Sequence, residues 1–167
     1  MKLPFRRRSV PTLPSGSAGE HAVAHELGRR GEALAVEYLT QLGYRLVAAN
    51  FSLPVGRNHR DAVVNAEIDI VAYDGPTLCF IEVKTRTSDE FAPPEVNVDR
   101  RKRRQIARAA RGYRGMLGLM DAPYRYDVVK IVSGAKPEDN EPRIELLKNF
   151  WTDEKLRKRS WYDARWD

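Results

Sequence analysis

The stretch Glu67-Ile-Asp-Ile-Val-Ala-Tyr-Asp-Gly-Pro-Thr-Leu-Cys-Phe-Ile-Glu-Val-Lys84 decides the fold. Its first seven residues alternate as a strand, Asp74-Gly-Pro76 is a turn signal, and Leu78–Lys84 reads as a second strand. On the first strand Glu67, Asp69 and Val71 share one face, and Ile68, Ile70 and Ala72 share the other. On the second, Leu78, Phe80, Glu82 and Lys84 lie opposite to Cys79, Ile81 and Val83. A four-residue loop, Asp74 to Thr77, pairs Tyr73 with Leu78, Asp69 with Glu82 and Glu67 with Lys84. A two-residue loop sets Glu67 against Glu82 instead, but puts Pro76 at a ladder position. Either register leaves a carboxylate facing Glu82, with Cβ atoms roughly 5 Å apart.

Two facing carboxylates repel unless a cation or a proton lies between them. Magnesium suits such a pair, because it takes hard oxygen ligands and combines one or two carboxylates with phosphate and water. Lys84, one alternation beyond Glu82, adds positive charge that can orient or activate a water. A carboxylate pair beside a lysine is a reasonable site for phosphodiester hydrolysis. The competing reading is a solvated hairpin face on which Lys84 merely pairs with Glu67.

Working outward, residues 1–19 are rich in Pro and Gly and read as a flexible tail. Val23, Leu27, Gly31, Leu34, Tyr38 and Leu42 recur every three or four residues, which predicts a helix over His21–Leu42, stopped by Gly43. Tyr44–Ala49 resembles a first strand. Phe51–Asn65, with Pro54, Gly56, Asn58 and His59, reads as a long turn or flap. A second helix spans Arg100–Leu117, with Asp99 as N-cap and Ile106, Ala109, Ala110, Tyr113 and Leu117 as its apolar side. Tyr126–Val132 and Arg143–Leu147 complete the strands. The order predicts one α/β domain over residues 20–150, with a central mixed sheet, followed by an extension over residues 151–167.

The 167 residues carry a net charge of +6, unevenly spread. Residues 31–99 hold eleven acidic and five basic side chains, while residues 100–114 hold eight basic and none acidic. The single cysteine, Cys79, excludes an intramolecular disulfide framework and an all-cysteine zinc site. His21, His25 and His59 form no metal-binding pattern. No apolar run is long enough to span a membrane, and the basic start lacks an apolar signal segment, so a cytoplasmic chain is expected.

Two further features bear on an anionic substrate. Glu32 lies at the edge of the first helix's apolar face, where its carboxylate can turn toward the sheet; the alternative is a surface glutamate. On the second helix Arg100, Arg101, Lys102, Arg103 and Arg104 are consecutive, followed by Arg108, Arg111 and Arg114. Such a helix gives phosphate contacts rather than base specificity. Lys102, four residues before Ile106, is the member best placed to look inward toward the hairpin, with Gln105 nearby. A solvated charge run is the alternative, and membrane attachment lacks a large apolar stripe.

At these residues the chain resembles the YraN-like (UPF0102) family of the restriction-endonuclease-like, or PD-(D/E)xK, nuclease superfamily. The resemblance rests on Gly31-Glu32 with Ala35, Tyr38-Leu39, Gly43-Tyr44 and Asn50, then on Glu67-Ile-Asp-Ile70 and Phe80-Ile-Glu-Val-Lys-Thr-Arg86. Lys102 and Tyr126-Asp-Val-Val129 continue it. It implies a restriction-endonuclease-like core, like that of archaeal Holliday-junction resolvases, with a central mixed β-sheet flanked by helices. It also implies Asp69, Glu82 and the backbone carbonyl of Val83 as ligands for Mg²⁺, with Mn²⁺ as a substitute. Lys84 becomes the catalytic lysine and Glu32 a helix-borne acid that can join the metal site. Glu67, Arg86, Lys102 and Gln105 become supporting or phosphate-contacting residues. Arg100, Arg101, Arg103, Arg104, Arg108 and Arg111 are the expected contacts to the nucleic-acid backbone. Ala66 departs from the usual glycine before the Glu-Ile-Asp motif. The expected function is a Mg²⁺-dependent endonuclease on DNA, at branched or junction structures, with a homodimer as an option suggested by resolvase-like relatives. The alternatives are a non-cleaving nucleic-acid-binding module of the same fold and a protein-interaction scaffold.

Overall fold

Ile70, Val71 and Ala72 are buried in succession, as are Leu78, Cys79, Phe80 and Ile81, so the central strands need cover on both faces. Two helices supply it. The computed structural model describes residues 17–86, 98–132 and 141–153. Within them run α1 (Ser17–Gln41), β1 (Arg45–Arg57), β2 (Val63–Asp74), β3 (Thr77–Arg86), α2 (Arg100–Met116), β4 (Tyr124–Val132) and β5 (Arg143–Trp151). The expected α-β-β-β-α-β-β order holds.

The five strands form one mixed sheet in the order β1-β2-β3-β4-β5. β3 and β4 are parallel and the other neighbours are antiparallel. The parallel pair requires a crossover, which contains α2. Ala35 and Leu39 of α1 pack on Ile70, Ala72, Cys79, Ile81, Val129 and Ile131 of the sheet. Ile106, Ala109 and Tyr113 of α2 belong to one core with Ala66, Ile68, Val71, Leu78, Phe80, Tyr126 and Trp151 of the sheet. Among the described residues, no helix is long and apolar enough to cross a membrane.

The hairpin has the register of the four-residue option, with Tyr73 opposite Leu78. Pairing goes one step further, to Asp74 and Thr77, leaving Gly75-Pro76 as the turn. Gly75 takes φ +56° there, a conformation open to glycine at little cost, and Pro76 stays off the ladder.

Several expectations need correction. Residues 51–65 are not a long flap. β1 runs on through Phe51, Leu53 and Val55, which alternate inward against Ser52, Pro54 and Gly56. Only residues 58–62 separate it from β2. Pro54 is tolerated because β1 is an edge strand.

Strict alternation on β2 also fails. Ala66 and Ile68 pack beneath α2, whereas Ile70 and Ala72 pack beneath α1. The slip falls at Asp69, and the facing strand has Asn50 at a left-handed φ of 51°.

On α2, Leu117 is exposed and Arg114 is buried in its stead. The Arg114 guanidinium lies 3.7 Å from the Tyr124 ring centroid and donates to the Leu119 and Met120 carbonyls. Stacking and satisfied donors make that burial tolerable. Trp151, expected to open a C-terminal extension, instead ends β5 and stacks on Tyr126 at 5.0 Å. Of the expected tail over residues 1–19, residues 17–19 instead open α1; residues 1–16 and the remaining extension, residues 154–167, lie outside the described residues.

Candidate active site

The last β2–β3 pair is Ile70 with Ile81. Beyond it β2 keeps β1 as its partner and β3 keeps β4, out to Arg86 beside Val132. The sheet therefore forks, and Asp69 and Glu82 stand where it opens. Asp69 Oδ2 accepts the backbone N–H of Val83 at 2.7 Å, taking the place of a ladder carbonyl.

Glu82 is almost fully buried, an arrangement that needs compensating charge. Its Oε1 accepts from Lys84 Nζ at 2.7 Å. Its Oε2 is buried and accepts no hydrogen bond. The Lys102 ammonium stands 3.3 Å from that oxygen, an ion-pair contact outside hydrogen-bonding geometry, and 3.9 Å from Asp69 Oδ1. Both lysine side chains are about one-third exposed, whereas the Glu82 side chain is 2% exposed. Two ammonium groups on the solvent side thus face two carboxylates on the inner side. Burial pushes the Asp69 carboxyl up to about 7, and the Glu82 charge adds to the rise. The Val83 amide and the two lysines oppose it.

The remaining expected residues fall into distinct places. Glu32 is half-buried on α1 and lines an open cleft of about 300 Å³ with Leu27, Gly28, Val83, Lys84 and Thr85. Gly31 fixes that approach, since a Cβ there would stand 1.8 Å from Thr85 Oγ1. Among the described residues, no three or more Asp, Glu, His or Cys side chains gather closely enough to share a cation. Glu32 therefore borders Lys84 without completing a three-acid cluster. Glu67 is exposed and pairs with Ser52 of β1. The fork carries it away from Lys84, whose partner is Glu82. Arg86 is half-buried at the end of β3, and Gln105 is half-buried on α2.

Arg100, Arg101, Arg108 and Arg111 are exposed on α2. Arg103 behaves differently, with its guanidinium 5.3 Å from the Phe150 ring centroid and 5.9 Å from that of Trp151. The Nε atoms of Arg103 and Arg104 are both buried without a hydrogen bond. Arg103 packs toward β5, away from the acid pair.

A second polar cluster was not anticipated. Asp127, fully buried, accepts from Arg125 Nε through both carboxylate oxygens, at 3.0 and 2.9 Å, and from the Asn149 N–H at 2.7 Å. Arg125 also donates to Tyr44 Oη and Asp74 Oδ2, and Lys148 donates to the same Asp74 oxygen. These two cations hold the Asp74 carboxyl down to about 2. The cluster ties the β2–β3 turn to the start of β1 and to the β4–β5 irregularity near Asp127. The available signal was a charged residue inside the apolar run Tyr126-Asp-Val-Val129.

An α/β protein with a five-stranded mixed sheet between two helices, and a carboxylate–lysine cluster at a strand fork, is the class these features define. The model of "Uncharacterised protein family UPF0102" matches residues 31–131, from the glycine beside Glu32 to the end of β4. A UPF0102 protein of Chlorobium limicola is 44% identical over 115 residues, 69% of this chain and 81% of the relative. One from Chlorobaculum parvum is 43% identical over 127 residues, covering 73% and 88%. Another, from Geobacter sulfurreducens, is 39% identical over 137 residues, covering 82% and 95%. The chain belongs to the UPF0102 family.

Proposed function

We propose that this chain is a divalent-cation-dependent endonuclease that hydrolyses DNA phosphodiester bonds on a restriction-endonuclease-like core, with branched or junction DNA as its expected substrate. One observation carries the reading: a carboxylate pair, Glu82 buried and Asp69 partly so, opens at a strand fork, and Glu82 Oε2 has no hydrogen bond. A buried, charged oxygen without a donor is costly, and a hard cation satisfies it. Oxygen donors suit Mg²⁺, with Mn²⁺ as a substitute. Asp69, Glu82 and the Val83 carbonyl would hold the ion, which when bound supplies Lewis-acid polarisation of the phosphoryl group and an acidified water.

The chain's own residues do the rest. Lys84, held by Glu82 and bordering the Glu32 cleft, orients the attacking water and offsets charge growing on the phosphate. Glu32 positions water from the α1 side. Lys102 and the exposed arginines of α2 hold the flanking phosphates. This reading carries with it a cytoplasmic location and, for symmetric cutting of a four-way junction, a homodimer with two sites.

The test is Mg²⁺-dependent cleavage of linear, nicked, flapped and four-way DNA by the parent, D69A, E82Q and K84A proteins. Cleavage by the parent and its loss in the variants is the expected result. Binding without turnover would leave a non-cleaving module, and absence of both would leave the protein-interaction scaffold.

A further inference from the structure

We infer that the end of the β1–β2 ribbon is an arm that enters a groove of double-stranded nucleic acid, roughly half a helical turn from the acid pair. The inference rests on the nucleic-acid reading above and names the form of the substrate: duplex on at least one side of the cut.

Where β2 leaves β3 at Asp69, it keeps β1 beside it down to Val63 opposite Arg57. The first part of this ribbon is anchored. Ala66 and Ile68 are buried beneath α2, and Gly112 lets Leu53 approach, since a Cβ there would stand 2.3 Å from Leu53 Cδ2. Past Ala66 the cover thins, and Val63 is 54% exposed. An uncovered two-stranded ribbon would ordinarily fray, yet this one ends in a set turn. Asn58 Oδ1 accepts from the N–H groups of Arg60 (2.9 Å) and Ala62 (3.1 Å), and Arg57 donates to the Asp61 carbonyl at 2.7 Å. Arg57 also pairs with the Asp61 carboxylate at 3.2 Å. Arg57 and Asp61 therefore satisfy each other. Arg60 and His59 are left exposed, and Arg60 has no ion-pair partner among the described residues.

Length and shape indicate the ligand. The six steps from Asp69 to Val63, at ~3.4 Å each, span roughly 20 Å. A duplex rises 3.4 Å per base pair along one strand, so the tip stands about six base pairs from the acids. A two-stranded ribbon fits the major groove, and a single strand offers no such groove. On α2, Arg100, Arg101, Arg108 and Arg111 are exposed and add the positive charge that draws the backbone in.

The test measures binding without divalent cations, so that nothing is cut. A 24-base-pair duplex and a 24-nucleotide single strand are titrated across salt concentrations with the parent, the double variant Arg60→Ala/His59→Ala, and Arg45→Ala. Arg45 lies at the opposite end of β1 and removes the same charge there. The double variant should bind duplex about 3- to 10-fold more weakly, with a log–log salt slope reduced by about one. It should bind the single strand as the parent does and melt at the parent's temperature, and Arg45→Ala should leave the duplex slope unchanged. An unchanged duplex slope in the double variant, or equal losses on duplex and single strand, overturns the inference alone. A parent that binds neither nucleic acid overturns it together with the proposed function.

Discussion

Asp69 accepts the Val83 amide one step beyond the last β2–β3 backbone pair. The carboxylate closes a ladder that the main chain leaves open. That contact holds an acid at the mouth of the fork.

The same carboxyl titrates near neutrality, so its effect on stability has a definite sign. A folded value of about 7 lies above the ordinary 3.8. Its stabilising contribution is therefore fully present below pH 4 and is lost as pH rises through about 7. In metal-free protein D69N should be more stable than the parent at pH 8, by on the order of 1–2 kcal/mol, and the difference should shrink at pH 5. Urea unfolding at the two pH values measures this; a gap that is the same at both would exclude Asp69 as its source.

Lys102 neutralises an oxygen that has no hydrogen bond. K102M should destabilise metal-free protein by about 1–3 kcal/mol, because it leaves a buried charge less compensated. E82Q in the K102M background should restore most of that loss. Millimolar Mg²⁺ should raise the melting temperature of K102M more than that of the parent. Equal shifts would mean that ammonium and cation do not compete for the same oxygens.

The close approach of α1 to β3 depends on Gly31. G31A should cost about 1–3 kcal/mol through overpacking against Thr85, and should displace Glu32 from the cleft it shares with Lys84. T85A should recover part of that loss, since it removes the oxygen that the new methyl would meet. A double-mutant cycle by thermal or urea unfolding checks the coupling, and strict additivity would contradict the proposed contact.

Asp127 and Arg125 form a pair with one fully buried member. D127N and R125A should each destabilise by about 3–5 kcal/mol, well beyond the effect of truncating the exposed Arg108. Amide hydrogen exchange should show the loss first around Asn149, whose N–H the Asp127 carboxylate accepts. Protection unchanged there would place the anchor elsewhere.

The sequence made the hairpin, its register and the acid pair legible because alternation and a proline-limited turn leave few arrangements. The inward turn of Lys102 was legible from its spacing to Ile106. The continuation of β1 was hidden by Pro54 and Gly56, which signal a loop unless the strand lies at a sheet edge. The distance between Glu67 and Lys84 was hidden as well, since a pairing rule carries on past the point where strands part. Arg103 and Arg114 looked like two more exposed charges in a basic run. Only the tertiary packing of Trp151 and Tyr124 reveals them as residues that cover aromatic rings.

The parallel β3–β4 pair has a consequence for the order of folding. Asp69 and Glu82 are local partners in a hairpin and can meet early, whereas Lys102 arrives with the crossover that carries the chain to β4. The hairpin alone brings the two acids together with Lys84, on β3, but without Lys102. Loop closure over the crossover is slower than closure of the hairpin. Docking of α2 then brings Lys102 to both acids in the same event that completes the crossover to β4. Assembly of the full carboxylate–lysine cluster is thereby tied to completion of the whole domain, so partly folded chains lack it.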